Sequence, residues 1–304
     1  MPDDVFIPYT GAQFIQVDGY CYGLHEVVSG PYDAATLQGE YDDCTDCEAD
    51  GGLSLWTPAR ISVRAWYDSS DLDTITETGG YVSQWDDKSG NDKHLIQDLG
   101  ANQPRSGVRQ LNNLNVIDGD GSQSMYHDNY PAGGGTGDVQ VIAVCGVDSV
   151  SYFSDGIFAM AAPAGSDFKF SAGDPTDVSG DFNGFIQGGF GPNIIMSGGP
   201  HAGPSIYNAE FDRTIDGAVV GRVDGVNYGS SAYTSDLASP TQLAVLSDKN
   251  QVNSIDGLIA ELIIVNDTSS DTRYRLEGYL AWKWGLQANL PPGHPYELGA
   301  PTNA

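Results

Sequence analysis

Four side chains near the amino terminus have the types and spacing for metal or thiol chemistry. Three residues lie between Cys21 and His25, two between Cys44 and Cys47, and eighteen between the two pairs. Three thiolates and an imidazole could complete a tetrahedral zinc shell, and a module of about 50 residues is small enough to gain from such a staple. A disulfide among the three cysteines, or a set of free thiols, uses the same residues. A redox role for Cys44 and Cys47 finds no thioredoxin-like βαβ pattern around it. Cys21, His25, Cys44 and Cys47 are therefore the candidate metal ligands, with structural zinc as the candidate cofactor.

Other reactive patterns are missing. The sequence has no GxSxG nucleophile elbow, no HExxH and no phosphate-binding GxxxxGK[ST] loop. His94, His201 and His294 sit among Gly, Pro and Asn, as loop residues do, and His294 in GHPY reads as a packing element of the tail. The stretch Asp118-Gly119-Asp120-Gly121 offers oxygens to calcium, but no glutamate follows at the twelfth position of an EF-hand loop. A polar turn is favoured there, which makes calcium a weaker expectation than zinc. Asp87 and Ser89 in WDDKSG are expected to fix a turn through backbone hydrogen bonds. Cys145 falls inside the apolar run from Val139 to Val147 and is expected to be a buried free thiol. Tyr126, Tyr130, Tyr152, Tyr207, Tyr228 and Tyr233 lie in loop-like contexts where a ring could stack on a sugar. Most tyrosines of a β-sandwich instead pack with a wet hydroxyl end.

Composition narrows the partners. The 304 residues include 41 Asp+Glu against 13 Lys+Arg, a formal charge of −28. Nucleic acid and anionic membrane surfaces are excluded as expected partners, because both need clustered cations. The longest apolar run is far short of the roughly 20 residues that span a bilayer, so no membrane insertion is expected. The opening MPDDVFIPY has acidic residues where a signal peptide carries basic ones, so none is expected.

The elements that must position these residues are mostly strands. Residues 1 to 52 hold three of the four cysteines, end in YDDCTDCEADGG, and are expected to form a small β-rich module; residues 53 to 304 form the main domain. There, short apolar-polar alternations such as Ile61 to Tyr67, Tyr81 to Trp85, Gly156 to Ala162 and Asp167 to Ser171 predict half-buried strands. Asp224-Gly225 between Ala218 to Val223 and Val226 to Tyr228 predicts a hairpin. A strand pair is expected at Gln242 to Leu246 and Leu258 to Val265, with Glu261 pointing outward or meeting a cation at a sheet rim. One helix is predicted, with caps offered by Ser269, Ser270 and Asp271, apolar spacing through Leu276, Tyr279, Leu280 and Trp284, and a stop at Gly285. Many strands and one terminal helix make an all-β sandwich or jelly roll, with the helix on its edge or mouth.

Trp66 to Tyr81, VSQWDDKSGNDKH (82 to 94), NQPR (102 to 105) and NVIDGDGSQSM (115 to 125) occur in an order that resembles a laminin-G-like, concanavalin-type jelly roll. At the other end, IDGLIAELIIVN (255 to 266), RLEGYLAWKWGLQANLPPGHPY (275 to 296) and Ala300-Pro301 resemble the closing strand, helix and tail of the same modules. Such modules occur in bacterial surface proteins and tailed-phage virion proteins. Residues 1 to 52, with Cys21-Tyr22 ahead of Cys44-Thr45-Asp46-Cys47, resemble small cysteine-bearing modules of phage structural proteins.

The resemblance implies a concanavalin-like jelly roll with one carboxy-terminal helix behind a small anchoring module. Hydrolases of this fold that resemble laminarinases carry paired carboxylates in an ExDxxE pattern, which is absent here, so no enzyme activity is expected. The expected function is that of a structural or accessory virion protein of a tailed phage, such as a head decoration, fibre or tail appendage. It would assemble in the host cytoplasm, bind other virion proteins through residues 1 to 52, and form a homo-oligomer. The alternative is a lectin or adhesin that binds host-surface glycans.

Overall fold

The computed structural model describes residues 55–128, 138–149, 155–161, 167–172, 184–188, 194–196, 203–212, 218–232, 242–248, 251 and 253–302, together with the backbone of strands at 13–17 and 20–24. The chain divides into two units, Met1–Thr57 with Gly299–Ala304, and Pro58–Leu298. In the first unit β1 (Gln13–Val17) and β2 (Tyr20–Leu24) pair antiparallel. An antiparallel bridge there joins Leu55 to Thr302.

The second unit is built from short strands punctuated by turns. In chain order they are β3 (Val63–Asp68), β4 (Ile75–Thr78), β5 (Tyr81–Trp85), β6 (Leu95–Ile96), β7 (Gln110–Leu111), β8 (Leu114–Asn115), β9 (Ile117–Asp120), β10 (Met125–Asp128) and β11 (Val139–Ser149). Then follow β12 (Asp155–Ala161), β13 (Asp167–Ala172), β14 (Gly184–Gly188), β15 (Ile194–Met196), β16 (Ser205–Asp212), β17 (Ala218–Val223), β18 (Val226–Ala232), β19 (Gln242–Val245) and β20 (Asp256–Val265), before the helix α1 (Ser270–Lys283). Among the described residues no helix is long and apolar enough to cross a membrane.

Two large antiparallel sheets result, and β7 and β8 pair separately as a two-stranded one. One runs β15-β14-β13-β12-β19-β10-β6-β5-β4; the other runs β18-β17-β16-β11-β20-β3, with β9 also paired to β20. Their facing rows make one apolar core. Trp85, Leu95, Met125, Val245, Phe158 and Phe170 come from the first sheet, and Tyr67, Val141, Ala143, Tyr207, Ala209 and Phe211 from the second. Aromatic pairs bridge the gap, Phe170 with Tyr207 at 5.1 Å and Tyr67 with Trp85 at 5.7 Å between ring centroids. The architecture is an all-β sandwich. Cys145 is buried there as a free thiol, and burial pushes its pKa up.

Local chemistry explains the boundaries. Asp224 and Gly225 both take positive φ, 50° and 78°, the geometry of a tight hairpin between β17 and β18. Ser269 caps α1 by accepting a hydrogen bond from the Thr272 amide at 3.3 Å, and Asp271 and Lys283 suit the two ends of its dipole.

Three expectations are corrected. Gln242 to Leu246 and Leu258 to Val265 do not pair with each other: β19 belongs to the first sheet and β20 to the second. Adjacency in sequence suggested a hairpin, but β19 pairs with β10 and β12 instead. The turn expected at Asp118 to Gly121 is largely strand, since residues 117 to 120 pair with 256 to 259. The helix does not sit on an edge or mouth. It covers the outer face of the second sheet, where Glu261, Glu210 and Arg222 are buried, and this cover is why β11 is buried on both faces as far as Gly146.

The tail closes over α1 through a glycine. A Cβ on Gly278 would lie 2.6 Å from the Tyr296 Cβ, and Trp282 Nε1 donates to the Tyr296 carbonyl at 2.9 Å. Gly278→Ala is therefore expected to push the 291–296 tail off the helix and to cost about 1–3 kcal/mol as an overpacking change. Chemical denaturation, together with a shift in tryptophan emission, measures it. An unchanged midpoint and spectrum would show that the contact is not needed.

Candidate functional site

The outer face of the first sheet carries the residues best arranged to meet a ligand. Directly opposed residues of neighbouring strands share a face. Gln84 opposes Ile96, Ile96 opposes Tyr126, and Tyr126 opposes Ala244. The next row, with Trp85 opposite Leu95 and Met125 opposite Val245, lies in the core. Tyr126 is half-buried, with exposed carboxylates at Asp98 and Asp128 near it. Burial and then the charges of Asp98 and Asp128 push the Tyr126 phenol pKa up. Asp128 accepts from Gln242 Nε2 at 2.9 Å, and Gln84 Nε2 donates to Asp86 at 2.7 Å. Among the described residues no ion pair engages Asp98 or Asp128. The arrangement is an aromatic ring bordered by hydrogen-bond acceptors.

The other tyrosines singled out in the sequence divide. Tyr207 is a core residue, 1% exposed, which corrects its reading as a sugar contact: its strand is central, not a loop. Tyr228 packs against the core edge. Tyr130, Tyr152 and Tyr233 lie outside the described residues. Asp98 and Gln242 were not legible as companions of Tyr126, because sheet order brings their strands beside it, whereas Asp128 shares its face two residues along the same strand. The polar positions in MYHD at 125–128 were the only signal.

A second cluster lies on the opposite side, beneath α1. Glu261 is fully buried and both its oxygens are saturated. Trp66 Nε1 donates to Oε1 at 2.7 Å and Tyr279 Oη at 3.0 Å, while Lys283 Nζ and Trp284 Nε1 donate to Oε2 at 2.7 and 2.8 Å. Its register partner Asp68 meets Lys283 at 2.6 Å and Lys88 at 3.0 Å. Lys88 also reaches Asp71 at 2.7 Å and lies over the Trp66 ring. The motif residue Asp87 ties this corner down by accepting from the Trp66, Ser89 and Lys93 amides at 2.9, 2.9 and 3.1 Å. With every lone-pair direction of Glu261 engaged, the cluster fastens strand to helix. Glu261 thus points away from the core as expected, and it meets its cation under the helix, not at a rim.

Further along the same face, Glu210 pairs with Arg222, and His294 contacts Glu277 at 3.1 Å. The buried amides of Gln140 and Asn208 have no partner among the described residues. His294 is buried, as a packing element of the tail should be.

The two paired carboxylates respond oppositely to their surroundings. Burial raises Asp68, but the charges of Lys283 and Lys88 and hydrogen bonds from Lys283 and Ser70 outweigh it, holding the pKa at about 2 against an ordinary 3.8. Glu261 is raised, chiefly by burial, despite Lys283. A carboxylate depressed in the fold stabilises above its unfolded pKa, and that stabilisation is lost as pH falls through the folded value. Asp68 should therefore contribute about 2 kcal/mol above about pH 4 that vanishes toward about pH 2. Glu261 has the opposite sign, since the fold takes up its proton first. Denaturation of wild type and Asp68→Asn at stepped pH isolates the Asp68 contribution. Parallel curves between about pH 4 and pH 2 would refute it.

Of the candidate zinc ligands, Cys21 falls in β2, and its side chain, like His25, Cys44 and Cys47, lies outside the described residues. Among the described residues no group of three or more His, Cys, Asp or Glu is placed to hold a metal ion. Asp118 and Asp148 share Arg109, while the Asp120 carboxylate accepts from Ser122 and its backbone amide donates to Gln123 Oε1.

No protein-family model and no curated protein matches the chain. Solved structures do resemble it. A GH54 α-L-arabinofuranosidase variant soaked with 4-nitrophenyl α-L-arabinofuranoside aligns over 86% of this chain and 66% of its own, with TM-score 0.52 and 13% identity. An arabinofuranosidase complexed with arabinofuranosyl-α-1,2-xylobiose aligns over the same shares with TM-score 0.51 and 13% identity. Domain 4 of a GH43 arabinanase from Geobacillus stearothermophilus, in complex with arabinotriose, aligns over 70% of this chain and 96% of its own, with TM-score 0.48 and 14% identity. This chain thus spans about two thirds of the arabinofuranosidase chains.

The comparison corrects the expectation that the chain is not an enzyme. Its fold is shared with glycoside hydrolases, so the missing ExDxxE pattern does not exclude hydrolysis. The chain is an all-β sandwich of the kind found in carbohydrate-active proteins.

Proposed function

We propose that this chain binds glycans through its sandwich and is displayed on a tailed-phage particle. The observation that carries glycan binding is the Tyr126 ring on the outer sheet face, bordered by Asp98, Asp128 and Gln242. A tyrosine face accepts the apolar side of a sugar ring, and ionised carboxylates and amide oxygens accept its hydroxyl protons. The likeness in fold to arabinofuranosidases captured with arabinofuranosides supports the same reading.

Display on a particle is supported by the ordered motifs from Trp66 to Met125 and from Ile255 to Tyr296, and by the CxxC-bearing module at 1 to 52. In this proposal the sandwich is a concanavalin-type jelly roll. Residues 1 to 52 attach it to other virion proteins, with zinc on Cys21, His25, Cys44 and Cys47 as the staple. Several copies assemble in the host cytoplasm, and the charge of −28 keeps them mutually repelling and soluble.

Glycan-array screening of the pure chain, with reducing-end release assayed on each bound glycan, tests the first part and separates lectin from hydrolase. A mass-spectrometric inventory of purified particles tests the second. Binding to no sugar family would remove the first part, and absence from every particle would remove the second.

A further inference from the structure

We propose that the layer between α1 and the second sheet is an internal water-binding site, holding a small cluster of ordered waters as fixed parts of the fold. The site is independent of the glycan-binding reading. Gln140 on β11 opposes Glu210 on β16, and Asn208, two residues from Glu210, opposes Arg222 on β17; all four are buried on the face that α1 covers. Arg222 donates to Glu210 across this face. From the helix, Arg273 enters the same space, 3.9 Å from Glu210 and with its Nε 3.8 Å from Glu277 Oε1. His294 closes it from the tail by contacting Glu277 Oε2.

Six buried atoms in this layer have no hydrogen-bond partner among the described residues: both amide atoms of Gln140, both of Asn208, Nε of Arg273 and Oε1 of Glu277. Buried polar atoms in a stable fold are paired, with protein or with ordered water. The Glu261 cluster under the same helix shows what direct pairing looks like, with every donor 2.7–3.0 Å from its acceptor. The Arg273 separations of 3.8 and 3.9 Å are instead longer than a hydrogen bond and suit a bridging molecule. The six atoms are three donors and three acceptors. A cation would serve only the oxygens and meet two guanidinium groups, while an anion would serve only the N–H groups and meet two acidic side chains. The formal charges of Glu210, Glu277, Arg222 and Arg273 cancel, so the layer calls for no counter-ion. Water donates and accepts, which matches the mixed set.

The test is a crystal structure of the full chain at a resolution that shows ordered water, from crystals soaked in rubidium bromide, both of whose ions scatter anomalously. Expected are peaks without anomalous signal, each making about three hydrogen bonds and at least one to the Gln140 or Asn208 amide. An anomalous peak in the layer would overturn the assignment in favour of an ion. Amides turned onto Arg222, Glu210 or each other, with no peak between them, would show the layer to be dry. Oxygen-17 relaxation dispersion reads the same site in solution. Wild type should show long-lived waters, and Gln140→Leu with Asn208→Leu should lose part of that signal, with the fold checked by circular dichroism. Equal signals from the two folded proteins would overturn the placement. If the double variant does not fold, each single leucine variant is compared in the same way, and the wild-type crystal result decides without either.

Discussion

Glu261→Ala should cost about 3–5 kcal/mol, the usual effect of removing one partner of a buried charge pair. The side chain gathers Trp66, Tyr279, Lys283 and Trp284, which come from a strand, the helix and the helix cap. Its loss leaves two indole N–H groups and a lysine ammonium short of an acceptor where water has little access. Lys283 retains Asp68, so the residual charge is shared and not orphaned. Glu261→Gln, which keeps an acceptor oxygen and the side-chain volume, should cost less than Glu261→Ala, because fewer of the buried donors are left unpaired while Asp68 still answers the Lys283 charge. Urea denaturation of the three proteins checks the order. If Glu261→Ala costs under about 1 kcal/mol, the cluster is solvated and does not fasten the helix.

The second large effect concerns Tyr126. Tyr126→Ala should weaken binding of the best array glycan at least tenfold, about 1.4 kcal/mol, while leaving the denaturation midpoint near wild type. The ring is only half-buried and on the far side of the sheet from the core row, so its removal opens no core cavity. Tyr126→Phe should keep most of the affinity if the ring face carries the contact, and lose it if the hydroxyl does. Isothermal titration of the three proteins separates these cases.

Much of the fold was legible in the sequence because its signals are local. The Asp-Gly hairpin, the Ser269 cap and the alternating strand at Tyr81 to Trp85 each follow from neighbouring residues, and each is found. What was not legible depends on sheet order. Nothing near Gln242 indicates that β19 joins β10 and β12 instead of β20, and this pairing alone places Gln242 beside Asp128. The helix position escaped for a related reason. Leu276, Leu280 and Trp284 mark its buried side, but the surface it covers is set by polar residues of four strands: Asp68, Glu210, Arg222 and Glu261. A strand carrying a buried glutamate looks like a rim until the lysine that meets it is found 22 residues later. The motifs WDDKSG and AWKWG meet in one cluster through Trp66, Lys88, Lys283 and Trp284, which gives their spacing a physical reason.

The measurement that tests the account most directly is a calorimetric titration of the pure chain with the neutral glycan that ranks highest on the array, alongside Tyr126→Ala. The account expects saturable micromolar binding by wild type, at least tenfold weaker in the variant, with both proteins equally folded. Undiminished binding by the variant, or no saturable binding by wild type, would contradict it.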